Sequence, residues 1–466
     1  MVYFGYLIGY VTLILLVGIL FSRKMQSIED FFLASRSLPA VLVYFSLAAS
    51  WLGATSILVS IDEAYIKGVS SFWVIGIPSV LTVMIFGFFL VRPIRRLPIV
   101  TLPDLFEMRY GRIVRHMTSI LIVWYMALLA ASQMVALGNF LKAFLGTSYF
   151  SSLLIGTAVV LIYSIGGGFL SVVITDGFQF FLLTVGIVSL FFFLTGQTTM
   201  SDVFTTAAQM GRTNYFDFFV GFERNVWIVV SFTLAWIISP IVWQRIQASR
   251  SDKDARRGLI SSGVTFFVFF GVIVMIGVLC LPLLPMTASQ TPVLSLLLTT
   301  KTGHVLGGLL FVAVIAAIMS TMDTAINTGA LSLTRDVFQQ IFPQGRLKKV
   351  IQISRLSTFL MGALSFLIAT RVQGILKSIG LASEIMTEGL FIPGMAMIFL
   401  RKRFPTAGFA SLLLGGGYSL LGFMSETGFL HLEWPEWPYS VPYGLVLSLC
   451  GFLAGFLFDA WRRKAN

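Results

Sequence analysis

The residues best suited to chemistry lie within 311–340, FVAVIAAIMSTMDTAINTGALSLTRDVFQQ. An apolar helical run here carries Ser320, Thr321, Asp323, Thr324 and Asn327. At about 100° per residue, Ala317, Ser320, Thr321 and Thr324 fall on one face, with Asp323 and Asn327 at its edge. Hydroxyls, a carboxylate and an amide are costly in hydrocarbon, so this face should meet protein, water or an ion. One Ser or Thr commonly does no more than hydrogen-bond across a helix pair. Five polar groups within 320–327, one of them acidic, exceed that need, and hard cations take oxygen ligands. The stripe reads as an ion site.

Other carboxylates stand in apolar surroundings. Glu384 and Glu388 are four apart and share a helix face. They could recognise a cationic or zwitterionic solute, carry protons, or pair with Lys377 and Arg371. Asp176 follows the Gly166-Gly167-Gly168 turn and Thr175. It is either a helix N-terminal acid favoured by the macrodipole or an acidic partner to the stripe. Asp62 and Glu63 are placed near an outer mouth, and the loop HLEWPEWPYS (431–440) reads as an interfacial aromatic turn.

These groups must be held by membrane helices. The chain has 466 residues, 57% hydrophobic and 11% charged, with a mean hydropathy of +0.91, which marks an all-α polytopic membrane protein. Thirteen apolar segments are long enough to span: 3–22, 39–66, 71–91, 112–145, 149–165, 171–196, 225–248, 258–283, 305–337, 350–371, 374–400, 406–424 and 440–461. Basic residues sit in short clusters between them, which argues topology rather than nucleic-acid binding. With the N-terminus outside and the C-terminus cytoplasmic, 25 of the 32 Lys and Arg residues fall on the inner side, Arg245 among them. Arg23-Lys24 follow the first apolar run, the order of an uncleaved helix. Cys280 and Cys450 lie in apolar helices and read as small core residues. His116, His304 and His431 are scattered and belong to no catalytic motif, so no enzyme is expected.

Two segments are interrupted. The second, AASWLGATSILVSIDEAY, carries Ser50, Gly53, Thr55 and Ser56 near its middle, and the seventh carries Ser239-Pro240. Proline removes a backbone donor and invites unwinding. The breaks are five segments apart, which suggests an inverted repeat of segments 2–6 and 7–11 with the binding site at the breaks. The expected division is an extra N-terminal helix (1–24), a first repeat (38–200), a second repeat (225–402) and two C-terminal helices (403–466).

In order and spacing, DFFLASRSLP (30–39), AASWLGATS (48–56), TLPDLFEMRYG (101–111), GGGFLSVVITDGFQ (166–179), WQRIQASRS (243–251) and AAIMSTMDTAINTGALSLTRD (316–336) resemble the sodium:solute symporter family. The resemblance implies a five-plus-five inverted-repeat core of the LeuT type and alternating access, with sodium entry driving solute uptake. It places the main sodium site on the carbonyls of Ala49, Leu52 and Ala317 and the hydroxyls of Ser320 and Thr321. A second ion site, present in some members, would map to Ser320, Asp323, Thr324 and Asp176. Asp323 stands where the two-sodium pattern carries a hydroxyl.

The solute pocket is expected beside both breaks, with Trp51, Ser56, Trp124, Trp236, Ser239 and Glu384 as candidates. Trp51, Trp124 and Trp236 could cage an ammonium group. AASWLG is similar to the choline-transporter branch, although segment 7 lacks that branch's aromatic placement beside its proline. The implied function is sodium-coupled import of a small polar organic solute such as an amino acid, organic cation or zwitterion, organic acid or sugar. One charge crossing 100 mV gains about 2.3 kcal/mol, enough to drive uptake of a neutral solute. No cofactor is expected beyond Na+ as coupling ion, and no obligate protein partner. The implied location is a bacterial-type plasma membrane. A proton-driven transporter of the same fold is the alternative, because Asp176, Asp323, Glu384 and Glu388 are titratable. A transporter-like sensor is more remote, since it would carry a kinase or receiver domain after Asn466.

Overall fold

The computed structural model describes residues 2–20, 33–97, 99–165, 169–285, 292–341, 347–372, 374–400 and 402–465. Arg23, Lys24, Arg346, Arg401, the Gly166-Gly167-Gly168 turn and the first residues of the 30–39 motif lie outside them, as do the side chains of Lys348 and Lys349. Helix dominates, and the Leu38–Ser249 bridge is an isolated β contact. In chain order the helices used below are α1 (Val2–Leu20), α2 (Ala40–Trp51), α3 (Ser60–Lys67), α4 (Gly76–Ile85), α5 (Arg112–Leu145) and α6 (Tyr149–Ser164). They continue with α7 (Phe169–Gln197), α8 (Phe222–Ile237), α9 (Pro240–Ala248), α10 (Asp252–Leu279), α11 (His304–Ser332) and α12 (Leu347–Arg371). The last are α13 (Ile375–Glu384), α14 (Pro405–Ser411), α15 (Gly417–Glu426) and α16 (Val441–Ala465).

Helix occupies the place of every apolar segment read from the sequence. Among the described residues, nine helices are long and apolar enough to cross a membrane by themselves, and α8 with α9 makes a tenth. Val2–Val17, Ala40–Trp51 and Tyr149–Ile162 are apolar but shorter.

Both expected interruptions are real, and they differ in chemistry. Between α2 and the π-type turn Thr55–Val59 that leads into α3, Leu52 leaves helical geometry at φ −86°, ψ 54°. Gly53 follows because there is no room for a side chain. A Cβ there would lie 2.3 Å from Thr321 Oγ1 and 2.7 Å from Gln133 Oε1. Between α8 and α9, Ser239 is extended and Pro240 starts the next helix, bending the pair by 41°. Proline suits that first position, where an N–H would have no helical partner.

Helix α11 forms the centre and is buried along most of its length, packed on α5, α7, α12 and α2. Helix α2 lies between α10 and α7. At one end of the bundle, Arg115 pairs with Asp104 and Asp336 at 3.1 Å each and with Glu107. Arg335 reaches Asp104 at 3.3 Å. These bonds tie the short helix Leu102–Tyr110 and α5 to the turn that follows α11.

Candidate functional site

The break after α2 meets the polar stripe of α11 directly. Ser320 Oγ lies 2.9 Å from the Ala49 carbonyl oxygen and 2.8 Å from that of Ala317, and Thr321 Oγ1 lies 3.4 Å from Ala317 O. A hydroxyl has one proton to donate, so Ser320 can satisfy only one of the two carbonyls at a time. The Thr321 hydroxyl can serve Ala317 while Ser320 serves Ala49, and the four oxygens together form a set of neutral ligands of the kind a hard cation takes. Leu52 is the unwound residue itself, and Ala49, Leu52, Ala317, Ser320 and Thr321 are all buried. The oxygens are uncharged, and they suit a hard, weakly held ion.

One turn away along the same two helices, the chemistry changes. The Arg245 guanidinium of α9, 1% exposed, fills the space between α2, α7 and α11. It donates from Nε to Ser46 Oγ at 3.1 Å, from Nη2 to Ser50 Oγ at 2.5 Å and Thr324 Oγ1 at 3.4 Å, and from Nη1 to Ile241 O at 3.1 Å. Its Nη2 stands 3.6 Å from Asp176 Oδ2, while Ser46 and Ser50 donate to that carboxylate oxygen at 2.9 and 3.3 Å. Asp323 is fully buried within electrostatic reach of Arg245. Asp176, Asp323 and Thr324, the expected second-ion residues, are thus gathered around a cation that the protein itself supplies. Sequence reasoning grouped Arg245 with the inner-side charges; its burial corrects that reading.

A cavity of about 50 Å³ opens on the break. Ser50, Trp51, Gly53 and Ser56 line it from the first broken helix, Trp236 and Ser239 from the second, and Thr321 from α11. Trp51 and Trp236 meet edge to face at 5.0 Å, and Trp51 Nε1 donates to Ser79 Oγ at 2.8 Å. Ser56 Oγ donates to Trp51 O at 2.7 Å, which stabilises the unwound turn. Among the polar lining residues, Gln133 and Tyr125 escaped the sequence reading, and Thr55 was read as part of the break but not as a pocket residue. Gln133 of α5 accepts from Ala54 N at 2.8 Å and so caps the second half of the broken helix. Tyr125 lies beside it. Thr55 Oγ1 is buried at the cavity wall without a hydrogen-bond partner. Thr55 sits one residue from the predicted Ser56, and that adjacency was the available signal.

Two predicted pocket residues are elsewhere. Trp124 packs edge to face on Phe423 at 5.1 Å and borders a separate apolar crevice of about 410 Å³ with Leu333, Ile385 and Leu420. The three-indole cage is therefore not assembled. Glu384 turns away to take the Ser440 hydroxyl at the start of α16. The loop 431–440 does reach inward: Trp437 lies 5.3 Å from Phe232, which stacks on Trp236 at 5.0 Å.

Two interrupted membrane helices meeting at a cavity, with irregular backbone lining it, define a secondary-transporter architecture. The chain belongs to the sodium:solute symporter family, whose model matches residues 31–415. It is 25% identical over 382 residues to sodium/proline symporter 2 of Staphylococcus saprophyticus, covering 78% of this chain and 74% of that one. It is 23% identical over 442 residues to high-affinity choline transporter 1 of Drosophila melanogaster, covering 88% and 70%. Among solved structures, a substrate-bound, outward-open Na+-coupled sialic acid symporter superposes with a TM-score of 0.80 at 21% identity, over 99% of this chain and 98% of that one. MhsT in complex with L-phenylalanine shares the fold at a TM-score of 0.52 and 15% identity, over 89% and 98%. The chain is accordingly an integral membrane protein of a family of transporters, not enzymes.

Proposed function

We propose that this protein imports a small polar organic solute together with one sodium ion by alternating access. The observation that carries this reading is the neutral oxygen cluster of Ala49, Ala317, Ser320 and Thr321 at the cavity's edge. Neutral ligands hold sodium weakly enough to release it. A site joining a broken helix to a second helix changes shape when either one tilts. The proposed topology has thirteen crossings, the N-terminus outside and the C-terminus cytoplasmic, with 38–200 and 225–402 as the two inverted repeats.

Arg245 argues for a single sodium. Asp176 and Thr324 already have a tethered cation, and a second ion there would face its charge at close range. The solute side is read from the cavity wall: hydroxyls, the Gln133 amide, two indoles and apolar Ile and Leu side chains, with no charged side chain lining it among the described residues. That wall suits a neutral or zwitterionic solute better than a strongly charged one. A volume of about 50 Å³ holds an ion and water, so solute entry requires Trp51 and Trp236 to part.

The test is thermal stability of the purified protein against a panel of amino acids, quaternary amines, organic acids and sugars, first in sodium and then in potassium. Ligands that bind the folded state raise stability by mass action. A solute shift confined to sodium is expected. A shift indifferent to sodium but dependent on pH would favour proton coupling and overturn the reading.

A further inference from the structure

Glu388 is fully buried, and neither of its carboxylate oxygens has a hydrogen-bond partner. It lies in the π-type turn Ile385–Phe391 that continues α13, facing a second such turn at Leu412–Gly416. Two glycines allow this packing. A Cβ at Gly444 of α16 would fall 2.3 Å from Glu388 Cδ, and one at Gly415 would fall 2.0 Å from its carbonyl oxygen. Among the described residues, neither Glu388 nor Glu384 enters an ion pair. The charged and titratable groups near them among the described residues are Tyr418 of α15, Tyr443 of α16, and Glu426, whose carboxylate is taken by Lys377 at 3.1 Å.

An ionised carboxylate here would be a bare charge at membrane depth, costing at least several kcal/mol. A second carboxylate on the same helix face increases that cost. The protonated acid avoids it. A metal ion is a poor alternative, because Gly444 packs directly against the carboxyl and a hard cation needs space for several oxygens.

We infer that Glu388 is a proton-binding site, separate from the sodium cavity, at the seam where the turn after α13 packs on the C-terminal helices α14–α16. Its proton is part of the packing: ionisation requires α16 to move off the turn and admit water. The site is therefore a latch between the core and the last helices, and not the entry point of the coupling ion.

Infrared spectroscopy of the full chain in lipid vesicles tests this at neutral pH, in sodium and in potassium. The carbonyl stretch of a protonated carboxyl is expected in both buffers, and Glu388→Gln should remove it while leaving sodium-dependent stability in place. Glu384→Gln should shift the band without abolishing it. Identical wild-type and Glu388→Gln spectra would overturn the assignment. So would a wild-type band that appears only when sodium is withdrawn, which would make sodium the occupant. If Glu388→Gln fails to fold, the Glu384→Gln variant with isotope-labelled glutamate still decides the matter: a band that remains and shifts with the label supports the assignment, and a band that is lost or does not shift overturns it.

Discussion

Two clusters share the same pair of helices, α2 and α11, and differ in charge. At Ala49, Ala317, Ser320 and Thr321 the oxygens are neutral and carry no tethered cation. At Ser46, Ser50, Asp176 and Thr324 they surround a guanidinium carried by α9. The first arrangement can lose its ion every cycle. The second cannot, because its cation is covalently attached. On the proposed function, one scaffold separates a transported charge from a structural one, and the tethered arginine ties the second broken helix to the first.

Breaking the tethered cluster should have the largest effect. Arg245→Met leaves Asp176 buried without its counter-ion, and removing one member of a buried pair costs about 3–5 kcal/mol. Thermal or denaturant unfolding should show that loss, and the double change Arg245→Met with Asp176→Asn should recover much of it. Recovery would confirm that the pair, rather than the arginine's packing alone, is responsible.

Breaking the neutral cluster should cost function before stability. Each hydroxyl would be one of a handful of oxygen ligands around the ion, and a loss of about 1.4 kcal/mol of binding is a tenfold change in affinity. Ser320→Ala or Thr321→Ala should therefore raise the sodium concentration for half-maximal uptake about tenfold or more. Sodium dependence in either variant should stay hyperbolic, as for one site. A sigmoidal wild-type response would show that Arg245 does not exclude a second ion.

The smallest effect sharpens the cavity's outline. Trp124→Ala should leave solute affinity unchanged, while Trp236→Ala, at the cavity wall, should weaken it. Equal losses in uptake assays would return Trp124 to the pocket.

The neutral cluster was legible in the sequence because both halves announce themselves locally. A glycine amid small polar residues marks the break, and hydroxyls at helical spacing mark the stripe. The helical places were legible for the same reason, since length and apolarity are local properties. Arg245 was not: in WQRIQASRS it reads as one more inner-side charge, and only the bend at Ser239-Pro240 turns it inward. Glu384 and Trp124 were misplaced because periodicity tells which residues share a face and not which neighbour that face meets. Gln133 follows Ser132 in the long α5, and nothing nearby signals that it caps a helix at Ala54, 79 residues earlier.

The most direct measurement is a sodium titration of thermal stability at constant ionic strength, with potassium as replacement, for wild type and Thr321→Ala. The account predicts a sodium-specific rise that saturates as a single site and moves to about tenfold higher concentration in the variant. A rise equal in potassium, or one that Thr321→Ala leaves untouched, would contradict it.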